Sequence, residues 1–353
     1  MVSTADHSGR KADHLRIAVE DDVGFGNLTN GLDRYRFVHQ ALPEIDLDAV
    51  DTGTMLLGRR LAAPVLISCM TGGVAKGGLI NRILAAAAQH AGVAIGVGSQ
   101  RAALDDPSLE ATFQVRELAP DVPLLANLGA AQLAGPDGIE RCRAVVRMIQ
   151  ADALVIHVNP LQEALQPEGT TQFAGLIDRI GATAAAIDVP IIIKEVGWGI
   201  AENLARRLAE VGIAGIDVAG AGGTNWGEVE RRRIEDPVMV RVAGEFREWG
   251  IPTADSVIDC RRGFPDGLII ASGGLRTGLD AAKCLALGAD AVGFAAPLLK
   301  AAVVSRRAVD ERLRGIIEGL RIAMFCIGAA TVTDLAATPH LLRGDSSVDT
   351  SRN

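Results

Sequence analysis

From Pro64 onward the chain repeats one pattern: a short apolar run, a Gly-rich or polar turn, then an Ala/Leu-rich amphipathic stretch. The apolar runs are PVLISCM (64–70), VAIGVGS (93–99), PLLANLG (123–129), ALVIHVN (153–159), PIIIKEV (190–196), GIDVAG (215–220), GLIIASGG (267–274) and AVGFAA (291–296). Their length and β-branched content predict buried strands. Between them NRILAAAAQHAG (81–92), IERCRAVVRMIQ (139–150) and AENLARRLAEVG (201–212) carry apolar residues at i, i+3 and i+4, the helical period. Strands alternating with helices build a parallel sheet, and eight such units predict closure into an α/β barrel of the (β/α)8 TIM type. A doubly wound sheet would have fewer strands and would open with a GxGxxG turn, whereas the first strand here runs into MTGGVAKGG.

Residues 1–60 form an N-terminal extension: a helix over 11–20, a Gly/Asn loop over 24–31, and a short hairpin around Thr52 and Gly53 placed to plug the barrel floor. No linker or second composition regime interrupts 1–342, which predicts a single domain, and the polar stretch 343–353 predicts a disordered tail. Composition narrows the function. With 48% apolar and 22% charged residues the chain buries a sizeable core and is not intrinsically disordered. A net charge of −8 argues against a general nucleic-acid binder, yet leaves room for a phosphorylated small molecule held by a few focused basic groups. Neither a membrane span nor a secretion signal is expected. Five cysteines without a CxxC pair fit a reduced, cytoplasmic compartment and no zinc site.

In barrels of this type the chemistry sits at the C-terminal ends of the strands. Those ends are polar here: Thr71-Gly72-Gly73, Ser99-Gln100-Arg101, Asn127, His157 and Asn159, Lys194 and Glu195, Asp217, and Ser272-Gly273-Gly274. In SGGLRTGLDAAKCLALGADAVGFAAP (272–297) the glycine pair admits an anion to backbone N–H groups, the strand-eight turn leads into a helix N-terminus, and Arg276 adds a charge. This predicts a phosphate site at strands seven and eight, with flavin mononucleotide (FMN) as its ligand. Lys194 ends an apolar strand on the inward parity of Ile192, where a lysine either forms a Schiff base or donates to the pyrimidine edge of a flavin. The glycine-rich turns favour the flavin. In HVNPLQE (157–163), His157 and Asn159 share the mouth-facing parity, and Gln162 and Glu163 follow on the loop. A carboxylate beside amides next to a phosphate site suits Mg²⁺, which takes few protein oxygens. Arg10, Lys11 and His14 near the N-terminus, with Arg101, supply charge for a second anion, and the N-terminal arm is a candidate lid. The tandem Arg231-Arg232-Arg233 reads as a solvated loop face.

Taken together, RKADH (10–14), FVHQALPEID (37–46), PVLISCMTGG (64–73), GSQRAAL (98–104), HVNPLQE (157–163), KEVGWG (194–199), DVAGAGGTNW (217–226) and SGGLRTGLD (272–280) resemble the type 2 isopentenyl diphosphate isomerases over residues 10 to 335. The resemblance implies interconversion of isopentenyl and dimethylallyl diphosphate, a step of isoprenoid biosynthesis, by proton transfer with reduced FMN, Mg²⁺, and NADPH as flavin reductant. It also implies a homo-oligomer, a tetramer or octamer. Flavin contacts then fall on Met70, Thr71, Gly72, Ser99, Asn127, Lys194, Thr224, Gly273, Gly274, Arg276, Ala295 and Ala296. Substrate contacts fall on Arg10, Lys11, His14, Ser99, Arg101, His157, Asn159, Gln162 and Trp226. Gln162 lies by the reacting carbons and Glu163 binds the metal. After PEG (167–169) the chain departs from the family, with Thr170-Thr171 where an Asp-Arg pair is common. The rival reading is an FMN-dependent oxidoreductase of the 2-hydroxy-acid oxidase type. Such enzymes need a His base followed by an Arg near strand seven, and the only His after 157 is His340.

Overall fold

The structure is a computed structural model that describes residues 4–344; the side chains of residues 4–8 and of Arg10 lie outside the described residues. Twelve strands are present in that range. β1 (Tyr35–Phe37), β2 (Thr54–Leu56) and β3 (Arg59–Leu61) belong to the extension. The barrel consists of β4 (Val65–Ile67), β5 (Ala94–Gly96), β6 (Leu124–Gly129), β7 (Ala153–His157), β8 (Ile191–Lys194), β9 (Gly215–Asp217), β10 (Leu268–Ser272) and β11 (Ala291–Phe294), and β12 is Leu341–Arg343. The eight barrel strands follow one another in chain order and close, β11 pairing with β4, as the alternation of segments predicts. Every pairing in the barrel is parallel.

The period of two along each strand divides the core into two. Val65, Ile67, Ile95, Leu124, Leu154, Ile156, Ile191 and Ile193 point outward into the layer beneath the helices. Leu66, Ala94, Leu125, Val155, Ile192, Ile270 and Ala291 point inward and pack on one another. The floor of this inner cluster is closed by Leu56 and Leu61 from the β2–β3 hairpin, both nearly inaccessible to solvent. The hairpin does plug the floor, but its turn is Leu57-Gly58, both with positive φ (50° and 76°), rather than Thr52-Gly53. Thr52 instead donates from its hydroxyl to the carbonyl of Ala62 at 2.7 Å, just below β4.

The helices are α1 (Thr4–Glu20), α2 (Ala75–Ala91), α3 (Arg101–Asp105), α4 (Gly138–Ile149), α5 (Pro160–Leu165), α6 (Leu176–Ala186), α7 (Glu202–Glu210), α8 (Trp226–Arg231), α9 (Pro237–Glu245), α10 (Thr253–Gly263), α11 (Gly278–Ala286), α12 (Ala296–Val304), α13 (Arg306–Phe325) and α14 (Val332–Ala336). The periodicity locates α4 and α7 to within two or three residues. It misses the first six residues of α2, where Gly77 and Gly78 look like turn residues; they are glycines because Thr71 and Thr112 pack against that face. The expected tail also begins too early. Arg343 pairs with Tyr35 in an antiparallel β1–β12 ribbon outside the barrel, and residues 345–353 lie outside the described residues. No helix among the described residues is long and apolar enough to cross a membrane.

The plug yields a direct test. Leu61→Ala removes three heavy atoms' worth of packing from a sealed floor, and a cost of about 2–5 kcal/mol is expected. Chemical denaturation would show it as a lower midpoint at unchanged slope; a midpoint equal to wild type would mean that the floor closes without this side chain.

Candidate active site

Two residues beyond each inward apolar position, the barrel interior changes character. Ser68, Asn127, His157, Lys194, Asp217 and Ser272 take the next inward positions, and Gly96 and Gly293 leave gaps in the same ring. A closed ring of buried polar groups is costly unless its members find partners. Most do. His157 Nδ1 lies 2.9 Å from Asn127 Oδ1, Ser272 donates to Asp217 Oδ1 at 2.5 Å, and Lys194 Nζ donates to the carbonyl of Glu195 at 2.6 Å. Burial, joined by the charges of Lys194 and Lys11, lowers the pKa of His157 to about 3, so its ring stays neutral at neutral pH. Burial likewise pushes the Asp217 carboxyl up, against the opposing pull of the Lys194 ammonium. Cys69 fills the gap over Gly96, and burial raises its thiol to about 11, which makes it packing rather than a nucleophile.

Above this ring opens a cavity of about 730 Å³, within the range of cofactor sites. Its walls bring together nearly all the residues that the sequence marks. Lys11 and His14 come from α1, and Met70, Thr71 and Gly72 from the loop after β4. Ser99 and Arg101 follow β5, Asn127 lies on β6, and His157, Asn159, Gln162 and Glu163 follow one another from the end of β7 into α5. Lys194 ends β8, Thr224 and Trp226 follow β9, Gly273, Gly274 and Arg276 follow β10, and Ala295 and Ala296 open α12. Arg10 has its side chain outside the described residues. Lys11 crosses the mouth: Nζ donates to the carbonyls of Gly72 (3.0 Å) and Ser99 (2.8 Å) and sits 5.2 Å from the ring centre of Phe113. Helix α1 thereby ties two strand loops together.

The glycine pair is bare for a different reason than the one expected from sequence. An ideal Cβ on Gly273 would fall 2.1 Å from the carbonyl oxygen of Gly220, and one on Gly274 would fall 2.4 Å from that of Gly222. Both glycines also have positive φ, 105° and 71°. The missing side chains face the loop after β9, not the cavity; the close approach is between two backbones.

Gln162 sits in a buried network that sequence reasoning missed. Asn159 Nδ2 donates to Gln162 Oε1 and to Glu163 Oε1, each at 3.0 Å, and Gln162 Nε2 donates to Glu230 Oε1 at 2.8 Å. Glu230 is fully buried, with His14 Nε2 at 2.9 Å and Arg233 Nη1 donating at 2.7 Å. Burial acts to raise its pKa, but the contacts of His14, Gln162 and Arg233 outweigh it and hold the carboxylate below its usual range. Arg233 reaches on to Glu168 at 2.9 Å. This corrects the reading of Arg231–Arg233 as a solvated face: Arg231 and Arg232 pair with Glu228 near the surface, whereas Arg233 is 13% exposed and bridges two acids. One signal for Glu230 was available, since on a helix it shares a face with Trp226 at i−4 and Arg233 at i+3. Trp226 itself stands edge-on to His14, ring centres 5.3 Å apart.

Thr170 meets Glu163 through its backbone rather than its side chain. It is the backbone N–H of Thr170 that donates to Glu163 Oε2, at 2.6 Å, and Gly169 permits this because any Cβ there would collide with the carbonyl of Glu163. Among the described residues no three His, Cys, Asp or Glu side chains converge as a metal cage, so Glu163 stands as a lone carboxylate with amides beside it.

The FMN-dependent dehydrogenase family profile matches residues 169–343. An isopentenyl-diphosphate delta-isomerase from Nostoc sp. is 47% identical over 96% of this chain and 97% of its own length, and one from Xanthobacter autotrophicus is 51% identical over 95% and 98%. This chain belongs to the isopentenyl-diphosphate delta-isomerase family. The solved structure of a mandelate oxidase with (S)-2-phenylpropionate superimposes with a TM-score of 0.65 over 98% of this chain at 22% identity, a likeness of fold alone.

The network within this isomerase-family barrel makes a measurable prediction. Arg233→Ala takes from the buried Glu230 carboxylate its guanidinium partner, which also reaches Glu168, and is expected to cost about 3 kcal/mol. Denaturation midpoints would register it, and Arg233→Lys should recover part of the loss. Equal midpoints for all three proteins would show that His14 and Gln162 suffice to hold Glu230.

Proposed function

We propose that this chain interconverts isopentenyl and dimethylallyl diphosphate, with the flavin lying across the polar ring and the diphosphate held under α1. The observation that carries this reading is the buried Asn159–Gln162–Glu230 hydrogen-bonded array, with His14 Nε2 in ion-pair contact with Glu230, built into the wall of a flavin-sized cavity in a chain about half identical to isomerases. Moving a double bond by one carbon needs a proton added at one carbon and another removed two bonds away, with no net electron transfer. Reduced FMN, when bound, supplies a proton-exchanging group and an electron-rich face against a cation-like alkene.

The residues present fit that cofactor. Lys194, anchored on the carbonyl of Glu195, offers its ammonium to an electron-rich edge, and Asp217 on the neighbouring strand balances the charge. The first turn of α12, at Ala295 and Ala296, opens on the cavity beside Gly273, Gly274 and Arg276, where a phosphate finds unpaired N–H groups. Met70, Thr71, Gly72, Ser99, Asn127 and Thr224 complete the surround. For the substrate, Lys11 and Arg101 lie on one side of the cavity mouth, with Arg10 beside them in sequence. His157 and Asn159 mark the diphosphate end, and Trp226 lies by the hydrocarbon. Gln162 is fixed by one accepted and one donated bond, so its amide cannot rotate without breaking both. Glu163 suits Mg²⁺ of the kind that spends most of its coordination on phosphate oxygens and water. NADPH as reductant, a cytoplasmic location and a homo-oligomeric state complete the proposal.

The oxidase reading lacks its acid–base pair. The imidazoles in the cavity wall are His14 and His157, and His340 contacts Gln40 beside β12, outside the cavity. Anaerobic incubation with FMN, NADPH, Mg²⁺ and isopentenyl diphosphate should yield the dimethylallyl isomer, with deuterium incorporated from heavy water and no acceptor consumed. Acceptor consumption in proportion to product, or full activity with oxidised flavin, would restore the oxidoreductase. Glu163→Gln should keep the flavin and the fold but raise the Mg²⁺ needed for half-maximal rate by at least tenfold, because a formal charge is lost from a site with few protein ligands. An unchanged Mg²⁺ titration would remove Glu163 from the metal site.

A further inference from the structure

One member of the polar ring has no partner. The hydroxyl of Ser68 is buried, the residue being 2% exposed, and it makes no hydrogen bond within the protein. Buried hydroxyls in folded proteins are almost always satisfied, so an orphan needs an explanation. It lies on the inward parity of Leu66, in the wall of the cavity, on the strand that borders β11. Gly293 on β11 makes room for it: an ideal Cβ there would fall 2.5 Å from Ser68 Oγ. A side chain at 293 would therefore crowd the hydroxyl.

The position within the ring points to one part of the ligand. β4 stands opposite β8, the strand of Lys194, and next to β11, whose end opens the first turn of α12. A flavin with its phosphate at that turn and its pyrimidine edge at Lys194 starts its ribityl chain beside β11 and β4. We infer that Ser68 is a cofactor-binding residue whose hydroxyl hydrogen-bonds a ribityl hydroxyl of FMN. The ribityl chain carries both donors and acceptors, so the contact forms in either sense. The inference rests on the flavin reading given above.

Titration of the apoprotein with FMN, followed by quenching of flavin fluorescence, tests it. Ser68→Ala should raise the FMN Kd about tenfold, the loss of one buried hydrogen bond, while the apoprotein melts at the wild-type temperature or higher because an unsatisfied hydroxyl has gone. Ser68→Cys keeps the shape of the side chain with a slightly larger, weakly bonding atom and should weaken FMN in the same direction, which keeps the test decisive if the alanine variant folds poorly. Lumiflavin, which lacks the ribityl chain, should bind wild type and variants alike. FMN affinity unchanged in both variants would overturn the assignment, and an equal loss for lumiflavin would move the contact from the ribityl chain to the ring. Failure of the wild-type protein to bind FMN would instead overturn the flavin reading itself.

Discussion

Everything in this barrel depends on how its interior is filled. A closed eight-stranded parallel barrel has room only for the side chains of its own inward positions. Here the lower part of that space is sealed with aliphatic groups and with Leu56 and Leu61 from the hairpin. The next inward layer is then free to be polar, because its neighbours below exclude water and fix each backbone. A polar layer resting on a packed one is preorganised: Asn127, His157, Lys194, Asp217 and Ser272 hold their positions through strands that have no freedom to shift.

The same division explains which parts of the site were legible in the sequence. Parity along a strand is a local property, so Lys194 inherits its direction from Ile192 and His157 from Val155, and both expectations hold in the structure. Loop residues that line the cavity were legible for a second reason, since strand ends in such barrels have a fixed role. Glu230 and Arg233 were not legible in this way. Glu230 sits on a helix of only six residues and Arg233 in the turn just past it, and their buried surroundings are decided by α1 and the loop after β7, which lie far off in sequence. A triple arginine run looks solvated unless the acids that neutralise it are known to be near. Gly273 and Gly274 illustrate a subtler limit. Sequence shows that no side chain is tolerated, but only the fold shows that the obstacle is the backbone at Gly220 and Gly222.

The extension before the barrel is structural as much as functional. Gly24 bridges Thr224, the carbonyl of Val23 accepts from the N–H of Asn225, and Glu248 takes the N–H groups of Gly26, Asn27 and Leu28 at 2.7–3.1 Å. The loop after β9, which carries Thr224 and Trp226, is thus braced on its outer side by residues some two hundred positions earlier. Helix α1 continues from this brace across the mouth, where Lys11 and His14 become part of the cavity wall. The part of α1 that crosses the mouth therefore rests on loops that the strap behind it holds in place.

Charge placement reconciles an acidic protein with an anionic substrate. The chain carries a net charge of −8, yet Lys11, Arg101, Lys194 and Arg276 all face one cavity. The acids nearby are largely committed: Asp21 to Arg232, Glu230 to His14 and Arg233, and Asp105 to Arg101 and Arg141. Low-dielectric walls focus the field of charges that line a cavity, so local potential rather than net charge governs the approach of a diphosphate. The negative exterior keeps polyanions such as nucleic acid from competing, since they need an extended basic face and cannot enter a pocket. Selectivity for a small ligand follows from geometry: these basic groups line a cavity of about 730 Å³, which a small molecule can enter and a polymer cannot.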